Sequence, residues 1–176
     1  QISGYIEGFL QREHTGPEDV DELITTLTKM CGEEALTDHI LREAIETLTS
    51  AAESRELNSA GHGEMVARYS EIIARSLGLP AEDVADLAFA ARVHDVGKLF
   101  VPERILNKPG PLTEGEFRIL KMHADVGAEI LATLPEGKKL REAVLHHHES
   151  FDGGGYPNGM RGEKIPLWAR IMAITD

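Results

Sequence analysis

Apolar residues recur along this chain at spacings of three and four, punctuated by glycine and proline and with no convincing run of strand-type alternation. That period suits helices with one buried stripe each and predicts an all-α architecture. Leu23, Leu27 and Met30 follow an acidic start at Glu18-Asp19, with Gly32 as the expected stop. Leu36, Ile40, Leu41, Ile45 and Leu48 place a second helix over roughly 34–56. Asn58-Ser59-Ala60-Gly61 then breaks the pattern. The break divides a short helical extension at 1–57 from a helical domain at 58–176. Met65, Val66, Tyr69, Ile72, Ile73 and Leu77 trace the next helix, closed by Gly78 and Pro80.

The following stripe is the informative one. Ala81, Val84, Leu87, Ala88 and Ala91 lead in register to Asp95, with His94 beside it and Gly97 as the expected stop. A carboxylate aimed at a core costs on the order of several kcal/mol unless it is paired or holds a metal. Val101 to Pro111 reads as a loop with Lys108-Pro109-Gly110 at its tip. Thr113 and Glu116 form a capping-box signature, after which Leu120, His123, Gly127 and Ile130 share a face. Leu140, Ala143 and Val144 lead likewise to His147, with His148 next, and Pro166 opens a last helix through Ile171 and Ile174 to Asp176. One inward histidine is more often an ordinary core residue. Several helices each delivering an imidazole, with a buried Asp95 among them, form the donor set of a divalent transition metal. His62 is a further candidate; His14 and His39 read as surface or packing residues.

Composition narrows the rest. At 176 residues, 41% hydrophobic and 27% charged, the chain can hold one well-buried domain. A formal charge of −12 argues against a nucleic-acid polymer as partner, because such binding needs a basic face. No apolar run approaches the roughly 20 residues that cross a bilayer, so no membrane insertion is expected. The N-terminus resembles no secretory signal, and one cysteine, Cys31, fits a reducing cytoplasm. The first residue is Gln1 rather than Met, so the chain reads as part of something longer.

Taken together, certain stretches resemble the HD-GYP family of HD-domain phosphohydrolases. They are His94-Asp95-Val96-Gly97-Lys98, Ile105-Leu106-Asn107-Lys108-Pro109-Gly110, His123 with Gly127, His147-His148-Glu149, Asp152-Gly153-Gly154-Gly155-Tyr156-Pro157, Ala169-Arg170-Ile171 and Asp176. Order and spacing agree as well as residue type, over about two thirds of the chain. The resemblance implies an HD-type helical bundle, bacterial and cytoplasmic. It also implies hydrolysis of cyclic di-GMP to pGpG, and in some members on to GMP.

Carried over by position, His62, His94, Asp95, His123, His147, His148 and Asp176 would be ligands of two divalent ions, iron or manganese, with Asp95 bridging. Asn58 stands where some members have an acidic ligand for a third ion, so a binuclear site is expected. Met65 and Ser150 replace arginines common in the family, which also continues past the position of Asp176. Lys98 is expected to meet a phosphate oxygen, making Asp95 and Lys98 the catalytic pair; a surface lysine capping a helix is its plainer role. Gly155, Tyr156 and Arg170 are expected at the substrate, although a simple loop, a brace for the ligand helix and an ion-pair partner are their open alternatives. Glu149 and Asp152 are expected to orient ligating histidines, and His146 to pack or orient.

The sequence leaves three rivals open: a phosphodiesterase for another cyclic dinucleotide such as cyclic GMP-AMP, an enzyme for another phosphate mono- or diester, and a noncatalytic receptor for nucleotide or protein. Signalling proteins of the diguanylate-cyclase type and a second copy of the chain are the protein partners the resemblance allows. The 1–57 extension is read as the tail of a sensory or receiver module.

Overall fold

Why the apolar stripes produce helices, and where they meet, is visible in the computed structural model, which describes residues 2–12, 17–33, 38–57, 59–135 and 137–176. The helices are α1 (Ile2–Leu10), α2 (Pro17–Glu33), α3 (Asp38–Arg55), α4 (His62–Ser76), α5 (Ala81–Val93), α6 (Glu103–Leu106), α7 (Glu114–Leu131), α8 (Lys138–Leu145) and α9 (Leu167–Thr175). Short 3-10 turns occupy Val96–Phe100 and Gly162–Lys164. No strand occurs among the described residues, as the period required. Nor is any described helix long and apolar enough to cross a membrane.

One apolar cluster runs from Ile6 and Phe9 through Leu23, Leu27, Leu41, Ile45 and Leu48 to Trp168, Ile171 and Met172. α3 delivers Leu41, Ala44, Ile45, Leu48 and Ala52 to it, a stripe that excludes the solvent-exposed Ile40. Ile40 lies about 100° around the helix from Leu41, outside the arc that faces the core. Arg42 ties the same helix to Asp86 of α5 at 2.9 Å. Leu36, Met30, Asn58 and His14 lie outside the residues or side chains described, whereas His39 is exposed beside Glu43.

α4 meets the sequence expectation only at Val66, which is buried, and at Ile73, which packs partly buried against the core. Its buried residues are Gly63, Val66, Ala67, Ser70 and Ala74, while Met65, Tyr69 and Ile72 stand in solvent. The reason is proximity: α4 packs on α5 so closely that a Cβ on Gly63 would lie 2.4 Å from the Arg92 carbonyl oxygen. Only small side chains fit such a seam. At the other end of the chain Ile174 is likewise exposed, whereas Ile171 is buried as expected.

α5 stops at Val93, two residues short of Asp95, and the chain enters the 3-10 turn there. Gly97 is therefore a point of contact and not the helix stop. A Cβ at Gly97 would lie 2.0 Å from the His123 carbonyl oxygen and 2.8 Å from Gly127 N. Glycine at both positions lets the turn lie directly on α7. The expected capping box is present, with Thr113 Oγ1 accepting from Glu116 N and Glu116 accepting from Thr113 N at 2.7 Å. The expected loop at 101–111 contains the short α6.

Candidate metal centre

Three histidines enter the site by one local device. His94, His123 and His147 each direct Nδ1 at the carbonyl three residues earlier: Ala91 at 2.7 Å, Leu120 at 2.6 Å and Val144 at 2.5 Å. Donation from Nδ1 fixes the ring and leaves the lone pair on Nε2. His94 caps α5, His123 sits within α7 and His147 lies just past α8, so a helical turn supplies the carbonyl in each case.

Asp95 lies between the rings and is 6% exposed. Its Oδ2 is 3.3 Å from His94 Nε2, and its Oδ1 is 3.5 Å from His123 Nε2. Asp176 Oδ1 is 2.8 Å from His62 Nε2 and 3.3 Å from His94 Nε2. The His147 and His148 rings lie 4.0 Å apart, and His123 Nε2 is 3.4 Å from His147 Nε2. Donor atoms within 4.8 Å of one another form three groups: His62-His94-Asp176, His94-Asp95-His147 and His123-His147-His148. All seven expected ligands thus converge. His146 stays outside, with Nε2 3.3 Å from Glu142.

Burial lowers the pKa of His123 and His147 and brings His148 down to about 4, so these rings are neutral with lone pairs available. Burial opposes charge on His94 too, yet the Asp95 and Asp176 carboxylates overcome it and raise it to about 10. Burial pushes Asp95 up, but His94, Lys98 and His123 hold it well below the usual carboxylate range. A bond from His94 lowers Asp176 in the same way. Asp95 Oδ1 is a buried acceptor with no hydrogen-bond partner. Neutral His123, His147 and His148, ionised Asp95 and Asp176 and an orphaned buried acceptor are what a divalent cation needs. A cation bound there would displace the Nε2 proton of His94, and the site fits one.

The residues expected around the ligands are placed less simply. Lys98 is no surface lysine: its Nζ lies 2.9 Å from Asp95 Oδ2 and 2.9 Å from Glu56 Oε2. Sequence reasoning missed Glu56, because nothing in its spacing links it to a turn 42 residues later. Glu149 accepts from Asn158 N at 2.7 Å and Met160 N at 2.9 Å, bracing the 150–160 loop and not a ligating ring. Asp152 accepts from Gly154 N at 2.8 Å within that loop. The loop shape explains both: its free N–H groups need acceptors near them. Gly155 permits the loop's own closure, since a Cβ there would fall 2.2 Å from Ser150 N and 2.4 Å from the His148 carbonyl oxygen.

Tyr156 stacks on His148 with ring centroids 4.7 Å apart, and Phe117 meets its edge at 6.1 Å. It therefore braces a candidate ligand. Arg170 borders a cavity of about 680 Å³ with His147, His148, Asp176, Ile73 and Leu77. Its Nε is buried without a hydrogen-bond partner, and no ion pair forms to it among the described residues.

Comparison with known proteins agrees with this geometry. Residues 25–176 match the HD domain family. The chain is 38% identical to the cyclic di-GMP phosphodiesterase response regulator RpfG of Xanthomonas campestris pv. campestris, over 77% of this chain and 36% of that protein. It is also 38% identical to a cyclic di-GMP phosphodiesterase of Thermotoga maritima, over 85% of this chain and 42% of the relative. A 3′3′-cGAMP-specific phosphodiesterase 3 of Vibrio cholerae is 36% identical over 90% of this chain and 34% of its own length. The chain thus spans about two fifths or less of these relatives. Among solved structures, Bd1817, an HDG"Y"P protein from Bdellovibrio bacteriovorus, superposes with a TM-score of 0.57 at 19% identity, covering 97% of this chain and 63% of that one.

Proposed function

The chain belongs to the HD domain family, in its HD-GYP branch, and from that premise we propose that it is a metal-dependent phosphodiesterase that hydrolyses cyclic di-GMP to linear pGpG. One observation carries the reading: Asp95 presents Oδ2 to His94 and Oδ1 to His123, so a single carboxylate faces two groups of imidazoles. That arrangement supports a binuclear centre. His62, His94 and Asp176 would hold one ion, His123, His147 and His148 the other, with Asp95 shared between them. The all-N/O donor set favours iron or manganese over a thiolate-bound structural zinc. Divalent cations bound there supply Lewis acidity, lowering the pKa of water and neutralising phosphate charge.

The protein's own groups do the rest. The i−3 carbonyls lock the three imidazoles before any ligand arrives, so little reorganisation accompanies binding. The 680 Å³ cavity beside His147 and His148 is walled largely by aliphatic side chains, which suit the faces of a nucleobase. Arg170 lines the same cavity, and its guanidinium would donate there to a phosphate or base oxygen. Lys98 supplies a buried positive charge on the Asp95 side. The 36% identity to a 3′3′-cGAMP-specific enzyme supports cyclic GMP-AMP as a second substrate to assay.

Chromatography of nucleotides after incubation of iron- or manganese-loaded protein with cyclic di-GMP tests the proposal. Appearance of pGpG supports it, and later GMP would show a second cleavage. Intact substrate, with metal bound, would turn the reading to a nucleotide receptor. Asp95→Ala should lower metal affinity by more than about a hundredfold, beyond the loss typical of changes outside the ligand shell, while helicity persists.

A further inference from the structure

The Lys98 ammonium is shared between two carboxylates, each at 2.9 Å: Asp95, a candidate metal ligand, and Glu56. Glu56 directly follows the last residue of α3, in the segment that the sequence sets apart from the site. The stretch around it is fastened to the turn that carries Asp95. Arg55 donates to the carbonyls of Leu99 and Val101, the latter at 3.1 Å. Asn107 donates to the Arg55 carbonyl at 2.6 Å and accepts from Leu57 N at 2.9 Å. Glu53 Oε1 accepts from Gly63 N at 3.0 Å, one residue after His62. Residues 53–57 therefore form a belt around one side of the centre, and Glu56 is the member that reaches inward.

We propose that Glu56 is a positioning residue: it draws the Lys98 ammonium partly off Asp95, leaving that carboxylate available to cations. An ammonium with one carboxylate neighbour competes with a metal ion for the same oxygens, and a second carboxylate relieves the competition. The inference rests on the metal-centre reading above, though not on which nucleotide is cleaved. It also makes the end of α3 part of the catalytic unit, although no spacing in the sequence marks it so.

The test is the affinity for Mn²⁺, titrated without substrate, in wild type, Glu56→Gln, Lys98→Met and the double variant. Glu56→Gln should bind Mn²⁺ about tenfold more weakly, as changes beside a ligand do. In the Lys98→Met background the same substitution should have no effect, because the competing ammonium is gone. An equal loss in both backgrounds would mean that Glu56 acts only by its charge, and no loss in either would mean that it does not act; both overturn the proposal. If Glu56→Gln does not fold, Glu56→Asp replaces it, keeping the charge and shortening the reach by one methylene. Positioning then predicts a loss that Lys98→Met removes, whereas wild-type affinity overturns it. Protein that binds Mn²⁺ as described but leaves cyclic di-GMP intact would refute the proposed activity and leave this inference standing. A wild type that takes up no Mn²⁺ ends both.

Discussion

Along α2 and α3 the large buried side chains among the described residues are Leu23, Leu27, Leu41, Ile45 and Leu48, each at helical spacing on a regular helix. Past the ends of α5 and α8 the chain instead buries His94, Asp95, Gly97 and His147, in turns and not in regular α-helix. The first region is held by non-directional apolar burial, which tolerates some change of shape. The second is held by backbone contacts and directed bonds, which tolerate almost none. Six of the seven candidate ligands lie at or just past a helix end, where free carbonyls can aim an imidazole inward, and His123 alone is held within a helix.

Substitutions in the two regions should separate them sharply. Gly97→Ala drives a Cβ to 2.0 Å from the His123 carbonyl oxygen, so a loss upwards of about 4 kcal/mol is expected, at the extreme of overpacking. Urea unfolding and metal content should fall together; a stable, metal-replete variant would break the contrast. Leu48→Ala, deep in α3, should cost about 3 kcal/mol in the same unfolding experiment. Metal uptake by its folded fraction should match wild type, and a specific loss of metal would show that the regions are not separable.

A helix end away from the centre gives a milder case. Lys108, with the Thr113 backbone and hydroxyl, holds Glu116 down to about 2 from an ordinary 4.5. A depressed folded-state pKa contributes stability above the unfolded value and loses it as pH falls through the folded one. Glu116→Gln should therefore lower Tm at neutral pH, and the gap from wild type should close as pH falls from 4.5 towards 2. A gap independent of pH would refute the assignment. Ile72→Gln, on the exposed face of α4, should shift stability by less than about 0.5 kcal/mol. A large loss there would show that this face is covered.

The helical class, the capping box at Thr113 and the buried stripe of α3 were all legible from period and local chemistry. Ile40, Ile174 and the outward face of α4 were not, because an apolar residue shows only that it could be buried. On α4 the small residues Gly63, Ala67 and Ala74 won the interface by allowing close approach. Glu149 and Gly155 were marked as special by type and position, yet their partners proved to be loop N–H groups and the backbone at 148–150. Such partners are invisible until the loop has a shape.

From sequence alone came the donor chemistry: imidazoles and carboxylates in an order and spacing that helices can present to an interior. Helical spacing is local, so it could place Asp95, His123 and His147 on inward stripes without knowledge of the fold. The ties of three imidazoles to carbonyls three residues back appeared only with the structure. The fold alone decided which oxygen of Asp95 faces which ring, and that Glu56 shares Lys98 with it. Contacts across 42 residues depend on how helices pack, and packing is set by the whole core and not by any one stretch of chain.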